Sequence, residues 1–197
     1  MMVDRTIPFY NTILRCDDFG MARPVLPENF SFASYQAGFE KDWARLEYLV
    51  GDFDSPEEAE AYFLKTYGAD REKLEERGIF LLNPQKQVIG SCLAWSNGSC
   101  HTLDWVIIDE SYQGKGLGRA MCQEAMCRLA KMEKMPVYLH TQPWSWKAIL
   151  LYVSLGFRLQ KKDTFAQYPN DYEQVIQTLE KVVSAEQLER ILQTAQG

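Results

Sequence analysis

The sequence predicts one mixed α/β domain, an antiparallel meander leading into a strand–helix–strand crossover. Three observations carry that reading. Two strand-like apolar runs, Val88–Trp95 and Thr102–Ile108, flank Asn97-Gly98, the dipeptide that most favours a two-residue hairpin turn. The second run leads into QGKGLG (113–118) and a helical stripe of Leu117, Met121, Ala125, Leu129 and Met132. A further strand-like segment, Pro136–Thr141, precedes a helix over Ser145–Leu155 that stops at Gly156, the residue type suited to the left-handed position ending a helix.

The remaining elements follow in chain order. Tyr10–Cys16 reads as a strand inside an N-terminal extension, residues 1–26. Asn29–Tyr35 alternates apolar and polar residues, as a half-buried strand does. Phe39, Trp43, Leu46 and Val50 recur at helical spacing. Ser55-Pro56-Glu57-Glu58 opens the next helix with a serine cap, a proline in the first turn and a glutamate three residues after the cap. A short helix over 70–77, a strand over Gly78–Leu82 and an Asn83-Pro84 turn lead to the meander. Phe157–Gln160 begins a last strand, and Tyr172, Ile176, Leu179 and Val183 mark a helix. Ser184 with Gln187 is a weaker capping signal for the final one. The expected organisation is a core over 27–162 and a helical extension of the same domain over 163–197.

Composition narrows the function. The net charge of -6 argues against a nucleic-acid partner, which needs a basic field. No segment approaches the roughly 18 apolar residues of a membrane span. The five cysteines lack CxxC spacing, although Cys92 and Cys100 sit in adjacent strand-like runs, and are expected to be reduced in a cytoplasmic protein. Two histidines without HxxxH or HExxH spacing offer no metal site.

The glycine loop is the strongest chemical signal. A Walker loop would need glycine at position 109, which is Asp109. A GxGxxG fingerprint would end on Arg119 or Met121, so it fails as well. What remains is Gln113-x-x-Gly116-x-Gly118 at a strand–helix junction. Loop N–H groups converge there on one point, and glycines admit phosphate oxygens to the backbone. Lys115 and Arg119 add charge at the rim.

This pattern resembles the Q/R-x-x-G-x-G/A loop of the GNAT acetyltransferase superfamily. A second block, SWKAILLYVSLGF, is similar to the family's N-x-x-A-x-x-x-Y-x-x-x-G-F, with Ala148, Tyr152 and Gly156-Phe157 in place and Ser145 where asparagine is usual. The resemblance covers about residues 28–160. It implies a GNAT fold: a mixed, mostly antiparallel sheet with a central β-α-β acyl-CoA site and helices on both faces. It further implies acetyl-CoA as cosubstrate, with the Gln113, Gly114, Lys115, Gly116, Leu117, Gly118 and Arg119 segment on the pyrophosphate and the backbone of Val106, Ile107 and Ile108 along the pantetheine arm. Ser145, read from the residues as a helix cap, takes the place of the family's cofactor-binding asparagine.

By the same resemblance Tyr152 is the general acid that protonates the departing thiolate; otherwise it is a core tyrosine. Asp104 shares a strand face with Val106 and Ile108 and is the first candidate for the base, with His101 and His140 as alternatives. Trp144 and Trp146, with Tyr138 and Tyr168 near them, either line an acceptor pocket or belong to the core. The implied activity is acetyl transfer to the amine of a small-molecule or peptide acceptor. The rival is a non-catalytic acyl-CoA-binding protein on the same fold. A homodimer is left open. The family's seventh strand has no counterpart over 163–170, and Tyr10–Cys16 is the segment available to replace it.

Overall fold

The computed structural model describes residue 4 and residues 6–20, 23–97, 100–132 and 135–197. In chain order the elements are β1 (Thr12–Cys16), β2 (Ser31–Ser34), α1 (Phe39–Val50), α2 (Pro56–Tyr67), α3 (Arg71–Arg77), β3 (Gly78–Leu82), β4 (Val88–Asn97), β5 (Cys100–Ile108), α4 (Leu117–Lys131), β6 (Val137–Thr141), α5 (Trp146–Ser154), β7 (Arg158–Leu159), α6 (Tyr172–Leu179) and α7 (Ala185–Thr194). These strands and helices form the mixed, mostly antiparallel α/β architecture that the sequence predicts. The Asn97-Gly98 turn lies outside the described residues, since Gly98, Ser99 and the Asn97 side chain are not among them.

The chain divides into two compact units. The first comprises Met21–Trp95 and Leu103–Arg128, the second Asp4–Gly20, Ser96–Thr102 and Leu129–Gly197.

In the first unit β2 pairs antiparallel with β3 and β3 with β4, and β5 follows β4 in the sheet order. The sheet and the α1–α2 pair enclose a core of Trp43, Leu46, Phe63, Leu74, Phe80 and Leu93. Local chemistry starts each of the next two helices. Ser55 Oγ accepts from the Glu58 N–H, and Asp70 Oδ1 accepts from the Lys73 N–H, each satisfying a first-turn donor. Gly51, with φ 91°, closes α1 in the left-handed conformation. Gly90 on β4 lies under the end of β5: a Cβ there would stand 2.7 Å from the Ile107 carbonyl oxygen and 2.6 Å from Ile108 Cδ1, so no side chain fits.

In the second unit β5 meets β6 in parallel at His101↔Val137 and Thr102↔Tyr138. The predicted N-terminal strand is β1, and it is an interior strand. It pairs antiparallel with β6 along Thr12–Cys16 and with the two-residue β7 at Leu14 and Arg15. No strand forms over 163–170, in keeping with the turn-like sequence there. Instead Asn170 Nδ2 bridges the carbonyls of Gln160 and Asp163. Ser184 and Gln187 make a full capping box at the start of α7, and Gln196 bridges to Gln160 beside β7.

Candidate active site

The glycine loop is held from both ends. β5 stops at Ile108, and the next N–H, from Asp109, bonds the Ile89 carbonyl at 2.8 Å. Asp109 Oδ1 accepts from the Ser111 N–H and hydroxyl, starting a short 3₁₀ turn over Glu110–Tyr112 that the residue pattern does not announce. Gln113 then reaches back, its Nε2 donating to the Ile108 carbonyl at 2.9 Å. Through this side-chain bond the motif glutamine ties the loop to the end of the strand.

Gly114 and Gly116 both take φ 77°, and a Cβ on either would meet nothing within 4 Å. Conformation, not crowding, therefore requires glycine at these positions, and the space beside them is open. Lys115 Nζ sits 4.9 Å from the centre of the Tyr112 ring, inside cation–π range. Leu117 is buried and anchors the first turn of α4, which also carries Gly118 and Arg119. The first helical bond runs from the Ala120 N–H to the Gly116 carbonyl. The N–H groups of Leu117 and Gly118 precede it, so the helix supplies donors and a positive dipole end to the open side of the loop.

Along β5, Ile107 and Ile108 are buried, whereas Asp104, Trp105 and Val106 are half-buried. Trp105 has φ 51°, a left-handed conformation that is an outlier for a bulky aromatic within a strand. Its ring meets those of Tyr62 and Trp43 edge-on, with centroids 5.5 and 5.3 Å away. Tyr67 donates to Asp104 Oδ2 at 3.2 Å. Burial, then the Asp104 charge, push the Tyr67 phenol far above its ordinary value, so it remains a donor to that carboxylate. Helical spacing places Tyr67 on the inner face of α2, but nothing in the sequence pattern points to this tyrosine–tryptophan–aspartate cluster, because its members are far apart in the chain.

The second unit holds Tyr152, Ser145 and the histidines. Tyr152 is buried in α5 at 6% exposure, its ring edge-on to Phe157, and Gly156 takes φ 94° as expected. Ser145 occupies the N-cap position without capping: its side chain makes no bond to the helix and instead accepts from Gln142 Nε2. The preceding 3₁₀ turn over Pro143–Ser145 feeds α5 directly, which replaces the expected serine cap.

His140 Nε2 pairs with Asn11 Oδ1 at 3.0 Å, and its ring stacks on Tyr168 with centroids 4.0 Å apart. Burial lowers its pKa to about 4, so it is neutral at pH 7. His101 Nδ1 pairs with Ser96 Oγ at 2.8 Å. Tyr138 donates to Asp163 and accepts from Arg15, which makes it a structural tie. Trp144 packs against Phe9 at 5.4 Å, while Trp146 lies beside Lys147.

The candidates thus fall into two sets. Asp104, Val106, Ile107, Ile108 and Gln113–Arg119 come together in the first unit, and Ser145 and Tyr152 belong to the second. Among the described residues no group of three His, Cys, Asp or Glu side chains is placed to hold a metal, and no helix is long and apolar enough to cross a membrane.

Residues 39–157, more than half of the chain, match the Acetyltransferase (GNAT) family. The chain belongs to that family. Solved structures agree at the level of fold. A GCN5-related N-acetyltransferase from Sphaerobacter thermophilus superposes with TM-score 0.60 at 16% identity, over 79% of this chain and 51% of the other. An acetyltransferase of the GNAT family from Staphylococcus aureus Mu50 gives 0.56 at 14% identity, over 72% and 91%. The ribosomal-protein-S18-alanine N-acetyltransferase from Escherichia coli gives 0.53 at 23% identity, over 72% and 85%. This GNAT chain spans about half the length of the Sphaerobacter protein. No curated protein matches it in sequence.

Proposed function

We propose that this GNAT protein is an acetyl-CoA-dependent N-acetyltransferase acting on an amine of a small-molecule or peptide acceptor by direct attack. The observation that carries the reading is the loop: two glycines at φ 77° open onto the N-terminal donors of α4, with Gln113 fixing the strand end behind them. That fits a pyrophosphate, because an anion there meets backbone N–H groups without a β-carbon in the way. Bound acetyl-CoA supplies an acetyl group activated as a thioester.

The chain's own residues account for the rest. Gln113–Arg119 bind the pyrophosphate, and the β5 backbone from Val106 to Ile108 orients the pantetheine arm and polarises the carbonyl. Asp104, oriented by Tyr67, takes the proton that the attacking nitrogen must lose. Of the three base candidates it is preferred, since it lies two residues before Val106 on β5, whereas burial lowers the His140 pKa to about 4 and leaves it a weak base. The nitrogen–carbon bond forms as the carbon–sulfur bond breaks, and the resemblance of the second sequence block to the family's assigns Tyr152 the role of giving the departing sulfur its proton. A phenol is an acid weak enough to be a proton donor in neutral solution. Free cysteines along the chain suit a cytoplasmic setting.

The direct experiment is a panel of amines with acetyl-CoA and a free-thiol readout. Amine-dependent release of CoA is expected. Tight acetyl-CoA binding with no transfer to any amine would instead mark a non-catalytic acyl-CoA binder.

A further inference from the structure

The first unit holds a surface cavity of about 410 Å³ that the proposed transfer leaves unused. Three segments line it. Helix α1 contributes Phe39, Asp42 and Arg45, spaced three apart along one side of the helix. The connection from β3 to β4 brings Lys86 and leads into Val88. Asp109 and Tyr112, from the turn that precedes the glycine loop, complete the wall.

Arg45 Nη2 donates to the Val88 carbonyl at 2.8 Å, which pins the guanidinium to the cavity wall. The carboxylates of Asp42 and Asp109 approach it only to 3.6 and 3.9 Å, too far for hydrogen bonds. A guanidinium carries five donors, so most of those on Arg45 stay available to an occupant. Asp109 Oδ1 is engaged by the Ser111 N–H and hydroxyl, and it is Oδ2 that faces Arg45. Exposed Lys86 adds a second positive charge, while Phe39 and Val88 supply apolar surface. Charges of both signs this close together select the ligand. An anion alone would meet Asp42 and Asp109, and a cation alone would meet Arg45 and Lys86, each with like-charge repulsion. A zwitterion suits both pairs. In an α-amino acid the carboxylate and the ammonium share one carbon, a separation on the scale of the Arg45–aspartate distances. The volume falls at the small end of ligand pockets, about 300–1,000 Å³.

We propose that this cavity binds a free α-amino acid with an apolar side chain, and that its occupancy tightens acyl-CoA binding at the glycine loop. The carboxylate lies on the Arg45 guanidinium with Lys86 beside it, the ammonium between Asp42 and Asp109, and the side chain against Phe39 and Val88. The linkage runs through two residues of the wall. The Asp109 N–H bonds the Ile89 carbonyl at 2.8 Å, and its side chain starts the turn that enters the loop. Tyr112 Oη accepts from Asn83 Nδ2 at 2.9 Å, and its ring lies 4.9 Å from Lys115 Nζ within the loop. An occupant that fixes Asp109 and Tyr112 orders the loop before the cofactor arrives, and such coupling is reciprocal. The linkage rests on the acyl-CoA reading of the loop; the amino-acid site does not.

The test is calorimetry on the full chain with L-leucine as the probe. Leucinamide, which lacks the carboxylate, and N-acetylleucine, which lacks the ammonium, are the controls, and each should bind about tenfold more weakly or worse. Saturating leucine should tighten acetyl-CoA binding about fivefold, the low end of allosteric coupling. Arg45→Ala should lose leucine binding, with its melting curve reporting that the variant is folded, and Asp42→Asn should weaken it. No heat of binding with millimolar leucine overturns the proposal, as does leucinamide bound as tightly as leucine. Competition between leucine and CoA would assign the cavity to the cofactor, and leucine binding undiminished by Arg45→Ala would place it elsewhere; either result overturns the site. Bound leucine with unaltered acetyl-CoA affinity overturns the linkage. Bound leucine in a chain that binds no acetyl-CoA sinks the transferase reading and leaves the amino-acid site standing.

Discussion

Tyr152 and Glu47 are both buried polar residues on helices, and physical chemistry separates their roles. Tyr152→Phe removes one oxygen and preserves the ring that packs on Phe157. It should lower kcat by about 10²- to 10⁴-fold, the usual worth of a general acid, with acetyl-CoA affinity unchanged by calorimetry. Turnover at the parent rate would reduce Tyr152 to packing. Glu47 has the opposite signature. Its folded pKa lies above 4.5 because burial and then Asp52 disfavour the anion, so stability is fully present below that value and is lost as pH rises through the folded pKa. Gln mimics the protonated form, so Glu47→Gln should raise the melting temperature at pH 7 and above while gaining little at pH 4. Thermal melts across that range read the difference, and a variant less stable than the parent at pH 8 would contradict it. His140 runs the other way. Its pKa falls from 6.5 to about 4 through burial, so the stability it contributes above pH 6.5 is lost as pH falls toward 4. His140→Gln should flatten that acid limb of the melting profile.

At the scale of elements, the glycine loop couples sequence to function most directly. Gly116 at φ 77° tolerates a side chain sterically but not conformationally, so Gly116→Ala costs about 1–2 kcal/mol in backbone strain. The same change should weaken acetyl-CoA binding at least tenfold, about 1.4 kcal/mol, because the loop N–H groups can no longer hold their convergent arrangement. Unchanged affinity in a titration would remove the phosphate assignment. This loop is legible in the sequence because its spacing, its preceding apolar strand and its following helical stripe are close neighbours in the chain. So are the Ser55 and Asp70 helix starts, where one side chain satisfies one backbone donor nearby. Ser145 departs from the expected cap for a reason of the same local kind: the Pro143–Ser145 turn supplies the entry to α5, and Gln142 occupies the serine hydroxyl. The Asp104–Tyr67–Trp105 cluster and the burial of Glu47 are not legible. A glutamate four residues after a tryptophan looks like the solvated edge of an amphipathic helix, and only the packing of α2 against α1 shows that it faces inward.

At the scale of the whole molecule, the N-terminal strand is the feature whose importance the sequence understates. Residues 10–16 read as a substitute for a missing strand, yet β1 lies between β6 and β7 and pairs with both. Ile13 and Leu14 are fully buried, and burying such a side chain is worth about 1.5–3 kcal/mol each. Arg15 adds ties to Asp17, Asp163 and Tyr138 that fasten the turn after β7. Asn11 pairs with His140 and donates to Asp171, connecting β6 to the start of α6. Deleting residues 1–17 therefore strips the ladder from two strands at once and leaves the two-residue β7 without its neighbour. Two exposed strand edges are also a template for association between chains. Set against a typical total stability of about 5–15 kcal/mol, these losses are enough to unfold the second unit. The truncated chain should be insoluble, or melt well below the parent with ill-resolved amide signals for residues of β6 and α6. A soluble truncation with the parent melting temperature would show instead that β6 and β7 pair without it, and that the strand is an appendage to a sheet complete in itself.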